Sequence, residues 1–288
     1  MVYTLYRMSE ASIERASITR KPGAFEKRIH EIDFIRGFLI ALVLMDHLFC
    51  FCGMYNDTWW HRAAANGLNY QFFKAVANVC DFYWNSTARQ IVRFFALFGF
   101  TFVSGISTAF SKNNWIRAGQ MLAIFGIIAV GSNVIDPYVS PIIDNPTRID
   151  FNVIGVLAWS TLFYCFFQKG GWRTVAIGAL IMLLISWIYY PLFFPDPEGG
   201  SSTMYAPPLV RPEGQADWMQ FFPFAFFFFA GALFSEFVYL PKKQSLIKKR
   251  FNWERPLCFM GRHSLIIYGT HVFIIIGVLL LFDQFMGK

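Results

Sequence analysis

Seven apolar stretches follow one another along the chain, and polar connections separate them. A helix needs about 20 residues to cross the roughly 30 Å of hydrocarbon in a bilayer, and each stretch approaches or exceeds that length. The pattern therefore predicts an all-α membrane protein, a bundle of about seven transmembrane helices. The predicted spans cover residues 33–53, 91–111, 117–135, 150–167, 173–194, 218–240 and 263–283.

The composition excludes an ordinary water-soluble domain. The 288 residues are 56% hydrophobic and 15% charged, whereas soluble domains carry about 25% charged residues. The net charge of +7 has a membrane explanation, so no nucleic-acid partner is predicted. The five cysteines show no paired spacing and indicate neither a disulfide framework nor a metal site. The first thirty residues lack the apolar segment of a cleavable signal peptide, so the first span is expected to direct insertion.

Charges in the connections predict how the chain is oriented. Lys and Arg crowd the tail 1–28 and the connection after the sixth span, whereas acidic residues dominate the opposite connections. Cytoplasmic connections are richer in Lys and Arg, so the N-terminus is predicted to be cytoplasmic and the C-terminus outside. We expect a multi-pass plasma-membrane protein whose transmembrane domain covers 29–285. Outer lid segments are predicted at 54–90 and 195–217, and four basic residues near the first lid run against the charge bias: Arg62, Lys74, Arg89 and Arg93.

Ionisable side chains share one face of the first span. Asp33 and Arg36 lie at its start, and His47 returns to within about 20° of Arg36, roughly 16 Å further along the helix. Such groups are costly at membrane depth, and a histidine exchanges a proton near neutral pH. His47 is therefore the leading catalytic candidate, with Asp46 beside it as a second. The structural alternatives are an interhelical hydrogen bond for His47 and an anchoring ion pair for Asp33 and Arg36.

The last predicted span carries a second polar face. Ser264, Tyr268 and His271 recur at positions i, i+4 and i+7, and a polar face inside a membrane helix is expected to face the bundle. His271 reaches about the same depth as His47, when each is measured from the start of its own span. The two histidines are therefore predicted to line one cavity, with Tyr268 and Ser264 contacting the substrate.

Basic and amide side chains gather at the predicted cytoplasmic ends of the spans. They form a candidate site for an anionic group, although a general excess of positive charge on that side would give the same pattern. The residues are Arg36, Lys112, Asn113, Asn114, Arg117 and Arg262. The chain shows no sequence motif of a serine hydrolase, a zinc protease or a nucleotide-binding enzyme.

Four segments, in order, resemble the heparan-α-glucosaminide N-acetyltransferase catalytic-domain family. They are RIHEIDFIRGFLIALVLMDH (28–47), FVSGIST with SKNN (102–114), the Phe-rich segment 221–234 and GRHSLIIYGTH (261–271). The resemblance covers about residues 28–285. The spacing of Arg36 and His47 is also similar to the first-span signature of other membrane acyltransferases. Ala158 departs from the pattern, because many relatives are expected to carry a histidine there.

The resemblance implies an acyl-CoA-dependent acetyltransferase. Acetyl-CoA would be the co-substrate on the cytoplasmic side, and an amine or hydroxyl of a sugar or glycan beyond the membrane would be the acceptor. His47 would be the catalytic histidine, as a general base or a transient acyl carrier, and Asp33 and Arg36 would support either donor binding or the geometry of the helix. With Ala158 in place of a histidine, Asp150, Asn152 or His271 would supply a second polar group, and Asp217 is a further substrate-binding candidate. Membrane lipids and a second copy of the chain are expected partners, and no metal is expected.

Two other functions compete with acyl transfer. A proton-coupled small-molecule transporter also keeps histidines and acids inside its spans. A non-catalytic membrane scaffold would tolerate the loss of His47. Neither alternative predicts binding of acetyl-CoA.

Overall fold

The computed structural model describes residues 29–58, 68–143, 147–189, 217, 219, 221–242, 245–247 and 251–286. The regular structure of these residues is helical. The helices are α1 (His30–Thr58), α2 (Leu68–Trp84), α3 (Thr87–Ile106), α4 (Asn114–Ile143), α5 (Val153–Phe167), α6 (Trp172–Leu184), α7 (Phe222–Lys242), α8 (Arg255–Arg262) and α9 (Ser264–Met286). Short 3-10 turns follow α3 and α5 and precede α8, and a π turn follows α6.

Each of the seven predicted spans overlaps a helix of the described residues, which confirms the all-helical architecture. The count of seven is not confirmed. Among the described residues four helices, α1, α3, α4 and α7, are long and apolar enough to cross a membrane, and the bent pair α8–α9 makes a fifth if it counts as one span. The shortfall lies in α5 and α6, whose helices have 15 and 13 residues. Fifteen residues extend only about 22 Å, less than the hydrocarbon thickness.

The first predicted lid segment, 54–90, contains a helix. It holds the end of α1, all of α2 and the start of α3, and α2 packs against α1. Ala77 and Cys80 of α2 are fully buried in this packing. Of the second predicted lid, 195–217, only Asp217 lies within the described residues, and the tail 1–28 lies outside them.

Glycines set the closest helix crossings. A Cβ atom on Gly37 of α1 would lie 1.7 Å from the carbonyl oxygen of Leu257, and one on Gly261 would lie 1.8 Å from that of Asp33. The backbones of α1 and α8 therefore touch directly. The same reciprocal contact joins α3 and α7, where a Cβ on Gly105 would lie 1.9 Å from the Phe228 oxygen. Small residues permit this close approach of membrane helices.

The largest hydrophobic cluster joins α5 and α7 and extends to α4 and α6. Its central side chains, including Tyr164, Phe228 and Phe229, are fully buried. The many phenylalanines of α7 therefore do two things: some fill this core, while Phe234 and Phe237 remain exposed on the outer surface of the bundle. An exposed apolar surface is expected where a helix faces lipid.

We name the two ends of the helix bundle after Arg36 and His47, two residues of α1 that lie toward its opposite ends. The Arg36 end also holds the last residues of α3, the first of α4, and α8, as the contacts of Arg36 and Arg117 demonstrate. The His47 end holds the start of α3 and the second half of α9. α8 and α9 meet at an 85° bend. The charge pattern assigned the connections at the Arg36 end to one side of the membrane and those at the His47 end to the other. Which of the two sides is cytoplasmic stays a prediction.

Candidate functional site

Two histidines meet at the His47 end. The ring centroids of His47 and His271 are 4.7 Å apart, with the ring planes at 87°. His47 Nδ1 lies 2.9 Å from the carbonyl oxygen of Val43, and His271 Nδ1 lies 2.5 Å from that of Tyr268. A carbonyl oxygen only accepts, so each Nδ1 is assigned the proton and each neutral ring presents a lone pair at Nε2. His271 is 4% exposed, and its Nε2 is buried without a hydrogen-bond partner.

Tyr268 and Asp217 extend the histidine pair into a chain of four polar side chains. The Tyr268 hydroxyl donates to Asp217 Oδ2 at 3.2 Å, and the Tyr268 ring lies 5.2 Å from the His271 ring. The helical spacing i to i+3 on α9 places Tyr268 and His271 on one face. The structure therefore brings together four of the predicted site residues. Ser264 is the first residue of α9 and lies about 10 Å along the helix from His271.

The carboxylate of Asp46 is engaged by Arg89. Arg89 Nε and Nη2 donate to the two Asp46 oxygens at 2.7 and 2.9 Å, and the Tyr83 hydroxyl donates to Oδ1 at 3.1 Å. Burial and the Asp46 charge raise the pKa of Tyr83, so this hydroxyl stays protonated and keeps donating. Arg89 also stacks on the Trp84 ring, 3.4 Å from its centroid. This geometry makes Asp46 a charge partner that joins α1 to α3. A catalytic role for Asp46 beside His47 stays a prediction.

Arg93 lies one helical turn after Arg89 on α3, and its charge acts on both Asp46 and Tyr268. Arg93 was not among the predicted site residues; it was noted only because its charge ran against the orientation bias. The i, i+4 spacing of Arg89 and Arg93 is the signal that could have identified it, because two arginines on one face of a helix need acidic or anionic partners.

Two guanidinium groups converge at the Arg36 end. Arg36 donates to Ser107 Oγ and to the Gly261 carbonyl oxygen at 3.5 Å, and Arg117 donates to Ser104 Oγ at 2.9 Å. The two positive charges are close enough to repel each other. Two like positive charges held close together favour the approach of an anion, which removes their repulsion and can accept hydrogen bonds from both.

Asp33 pairs with Arg262. The distance from Arg262 Nε to Asp33 Oδ2 is 3.3 Å, and the Arg262 side chain is 50% exposed while that of Asp33 is 11% exposed. The sequence predicted an anchoring ion pair between Asp33 and Arg36, whereas the pair of Asp33 with Arg262 connects α1 to α8. Asp33 therefore keeps Arg262 at the Arg36 end of the bundle, close to Arg36.

The predicted amide residues serve the local backbone. Asn113 Oδ1 accepts from the N–H groups of Trp115 and Ile116 at the start of α4. Asn152 Oδ1 accepts from Ile154 and Gly155 and caps α5. These are ordinary N-cap interactions. Asn114 Nδ2 donates to the Thr108 carbonyl and to Gln168, and its Oδ1 is buried without a partner. Lys112 is exposed.

No group of three or more His, Cys, Asp or Glu side chains in the described part of the chain is arranged to hold a metal ion. The polar chemistry of these residues therefore divides between a histidine site at one end of α1 and a basic site at the other. The α-carbons of Arg36 and His47 are separated by about 16 Å along the helix axis.

Comparison with known proteins identifies a family. The family model described as "Heparan-alpha-glucosaminide N-acetyltransferase, catalytic" matches residues 67–273. These residues include Asp217, Tyr268 and His271, and they begin after α1, so Arg36 and His47 lie outside the match. No curated protein and no solved structure matches the chain significantly.

Proposed function

The chain belongs to the heparan-α-glucosaminide N-acetyltransferase catalytic family, a family of transmembrane acetyltransferases, and from this premise we propose its reaction. The protein transfers an acetyl group from acetyl-CoA, bound at the Arg36 end, to an amine or hydroxyl of a sugar or glycan at the His47 end. The observation that carries the proposal is the contact between the His47 and His271 rings, each of which is held through Nδ1 and so keeps a lone pair at Nε2.

His47 supplies the proton chemistry. An acceptor amine or hydroxyl must lose a proton as it attacks the thioester carbonyl carbon, and Nε2 of His47 accepts that proton as a general base. The same lone pair would instead attack the thioester if His47 carries the acetyl group transiently, with CoA leaving as the thiol. The hydrogen bond from Nδ1 to Val43 supports both routes, because it fixes the ring orientation and the tautomer.

His271, Tyr268 and Asp217 orient the acceptor. His271 Nε2 is buried and unpartnered, so a sugar hydroxyl or amine that donates to it would satisfy a polar atom that otherwise pays a desolvation penalty. The Tyr268 hydroxyl is held by Asp217, and the Tyr268 ring lies beside the His271 ring. Removal of His271 should therefore affect acceptor affinity more than the proton-transfer step.

Arg36 and Arg117 hold the CoA phosphates, together with Arg262 and Lys112. The repulsion between Arg36 and Arg117 supports this role, because an anion between them removes it. Arg36→Ala should therefore weaken acetyl-CoA binding by about 10-fold or more, the scale of one charge-assisted contact. Substitution of Lys242 and Lys243, basic residues of the same predicted side, is the control and should change binding little. Equal losses at both places would indicate nonspecific charge.

The decisive experiment measures acetyl-CoA consumption by the purified protein with a glucosamine-like acceptor. His47→Ala should lower turnover by about 10² or more while acetyl-CoA binding stays intact, because a general base contributes on that scale. His263→Ala is the matched control, since His263 is an exposed histidine at the Arg36 end. Wild-type turnover in the His47 variant would overturn the assignment. A transporter would move the acceptor without consuming acetyl-CoA.

A further inference from the structure

A second cluster of reactive side chains lies at the Arg36 end, apart from the histidine site. Cys258 Sγ of α8 lies 3.4 Å from Nδ1 of His30, and Nε2 of His30 lies 2.7 Å from Glu254 Oε2. A nucleophile, a base and an acid that orients the base are thus in contact in that order. We propose that this cluster is a self-acylation site, at which Cys258 takes an acyl group from acyl-CoA; the proposal rests on the acyl-CoA dependence proposed above.

The hydrogen bonds determine where the protons lie. An ionised Glu254 only accepts, so the short contact to His30 Nε2 requires a proton on that nitrogen. Nδ1 of the neutral ring is then a lone pair, and it faces the thiol of Cys258. Glu254 is itself held by the backbone N–H of Phe251 at 3.3 Å, in the turn that precedes α8. The arrangement therefore points the basic nitrogen of His30 at the sulfur.

Burial favours a defined cluster over a random surface contact. Cys258 is 4% exposed, and the side chains of His30 and Glu254 are 11% and 13% exposed. The three side chains are held where α8 and the turn before it pack against the start of α1. The packing of α8 on α1 through Gly37 and Gly261 fixes the distance between Cys258 and His30.

The cluster lies at the same end as the proposed donor site. The carbonyl oxygen of Gly261, one helical turn after Cys258, accepts from Arg36. Arg262, the next residue, pairs with Asp33. An acyl-CoA whose phosphates contact Arg36 and Arg262 would therefore place its flexible tether at the end of the bundle that holds the Cys258 thiol. A folded tether presents the thioester to Cys258, and an extended one presents it to His47.

The proposed step is a thioester exchange. His30 Nδ1 accepts the thiol proton, the Cys258 thiolate attacks the acyl carbonyl carbon, and the bond from that carbon to the CoA sulfur breaks. His30 returns the proton to the CoA thiolate, so one thioester and one thiol are consumed and one of each is formed. No oxidant, metal or further co-reactant is needed.

Acyl-Cys258 is not an intermediate on the way to His47. His30 and His47 are 17 residues apart on α1, which is about 25 Å along the helix axis, and an acyl-cysteine side chain reaches only a small part of that distance. The acyl group stays between α8 and α1 beside Arg36. Cys258 is therefore a modification site that responds to the supply of acyl-CoA at the donor end.

The test incubates the purified, folded protein with isotope-labelled acetyl-CoA and maps the label by mass spectrometry of peptides. We expect one label on Cys258, removable by neutral hydroxylamine as a thioester is. Cys258→Ser should abolish it, and His30→Gln should slow its formation by about 10² because the base is lost. Cys165→Ser is the matched control, since Cys165 is a buried cysteine near Arg117 at the same end, and it should leave the label unchanged.

Three results would overturn the inference: no thioester on Cys258, a label that persists in Cys258→Ser, or equally fast labelling of the denatured chain. Acceptor turnover measured on the same preparations separates this inference from the proposed function. Normal turnover without a thioester contradicts the self-acylation site alone. A thioester on Cys258 without turnover of any sugar acceptor contradicts the proposed transfer reaction and leaves the self-acylation site standing.

Discussion

Asp46 and Arg89 form a charged pair that is almost withdrawn from solvent at the His47 end. The Arg89 side chain is 7% exposed and that of Asp46 is 17% exposed, and two hydrogen bonds join them. Each charge satisfies the other, and Trp84 and Tyr83 complete the surroundings. Removal of one partner leaves the other charge uncompensated in a poorly solvated place, a change that costs about 3–5 kcal/mol in buried pairs.

Asp46→Asn should therefore destabilise the protein strongly, and the double variant Asp46→Asn, Arg89→Gln should recover much of the loss. The reason is that the double variant removes both charges and keeps two polar side chains that can bond to each other. The thermal unfolding midpoint in detergent measures the effect, together with acetyl transfer per folded molecule. An Asp46→Asn protein of unchanged stability and strongly reduced transfer would contradict the structural role and support the predicted catalytic role of Asp46.

The sequence can predict a contact between two residues when both lie on one helix. It can also do so when both lie at the same number of residues from the ends of their spans on one side of the membrane. Counting from the span starts placed His47 and His271 at one level, and their rings are 4.7 Å apart. The partner of Asp46 was not predictable, because it lies 43 residues away on another helix. Helical periodicity carries no information about which helices are neighbours, so Asp33 was likewise considered with Arg36 and not with Arg262.

At the scale of helices, the crossing of α3 and α7 depends on two glycines. A Cβ atom on Gly231 would lie 2.0 Å from the Phe102 carbonyl oxygen, reciprocal to the contact of Gly105 with Phe228. Both obstacles are backbone atoms, so a side-chain rotation cannot relieve them. The two helices would have to move apart. This movement would loosen the Phe-rich core and displace the end of α3 that contacts Arg36 and Arg117.

Gly105→Ala and Gly231→Ala should each lower stability by about 1–3 kcal/mol or more, the range for overpacked sites. Gly119→Ala in α4 is the control, because a Cβ atom at that position would meet nothing within 4 Å. Alanine is the better helix former by about 1 kcal/mol, so the control should be neutral or slightly stabilising. Thermal inactivation of the three variants compares them. Equal behaviour of Gly105→Ala and Gly119→Ala would contradict the tight crossing.

The sequence located the helices but not all of their lengths. Apolar runs predicted every one of the seven segments, because burial in lipid and burial in a protein core select the same residues. The run 150–167 includes Asn152, whose side chain starts α5 at Val153 and shortens it to 15 residues. Cap interactions and the 85° bend at the start of α9 depend on neighbouring backbone, which hydropathy does not record.

For the whole molecule, the charges of the connections predict which end faces the cytoplasm. Asn85, in the turn between α2 and α3, lies at the His47 end, and Asn252, just before α8, lies at the Arg36 end; both are exposed. In a cysteine-free background, Asn85→Cys should react with a membrane-impermeant maleimide added to intact cells. Asn252→Cys should react only after permeabilisation. The opposite result would reverse the orientation and place the donor site outside.

The distance between Arg36 and His47 along α1 limits which acyl donors fit the proposed reaction. In the proposed reaction, the anchored phosphates and the reacting carbonyl carbon lie about 16 Å apart at the same time, so the donor needs a long, thin tether between its charge and its thioester. Acetyl phosphate, in which the two groups are directly bonded, cannot reach both ends, and it should neither support transfer nor protect His47 from chemical modification. The length of the donor between its phosphates and its acetyl group, and not the reactivity of the acetyl group alone, therefore determines which donors the proposed reaction uses.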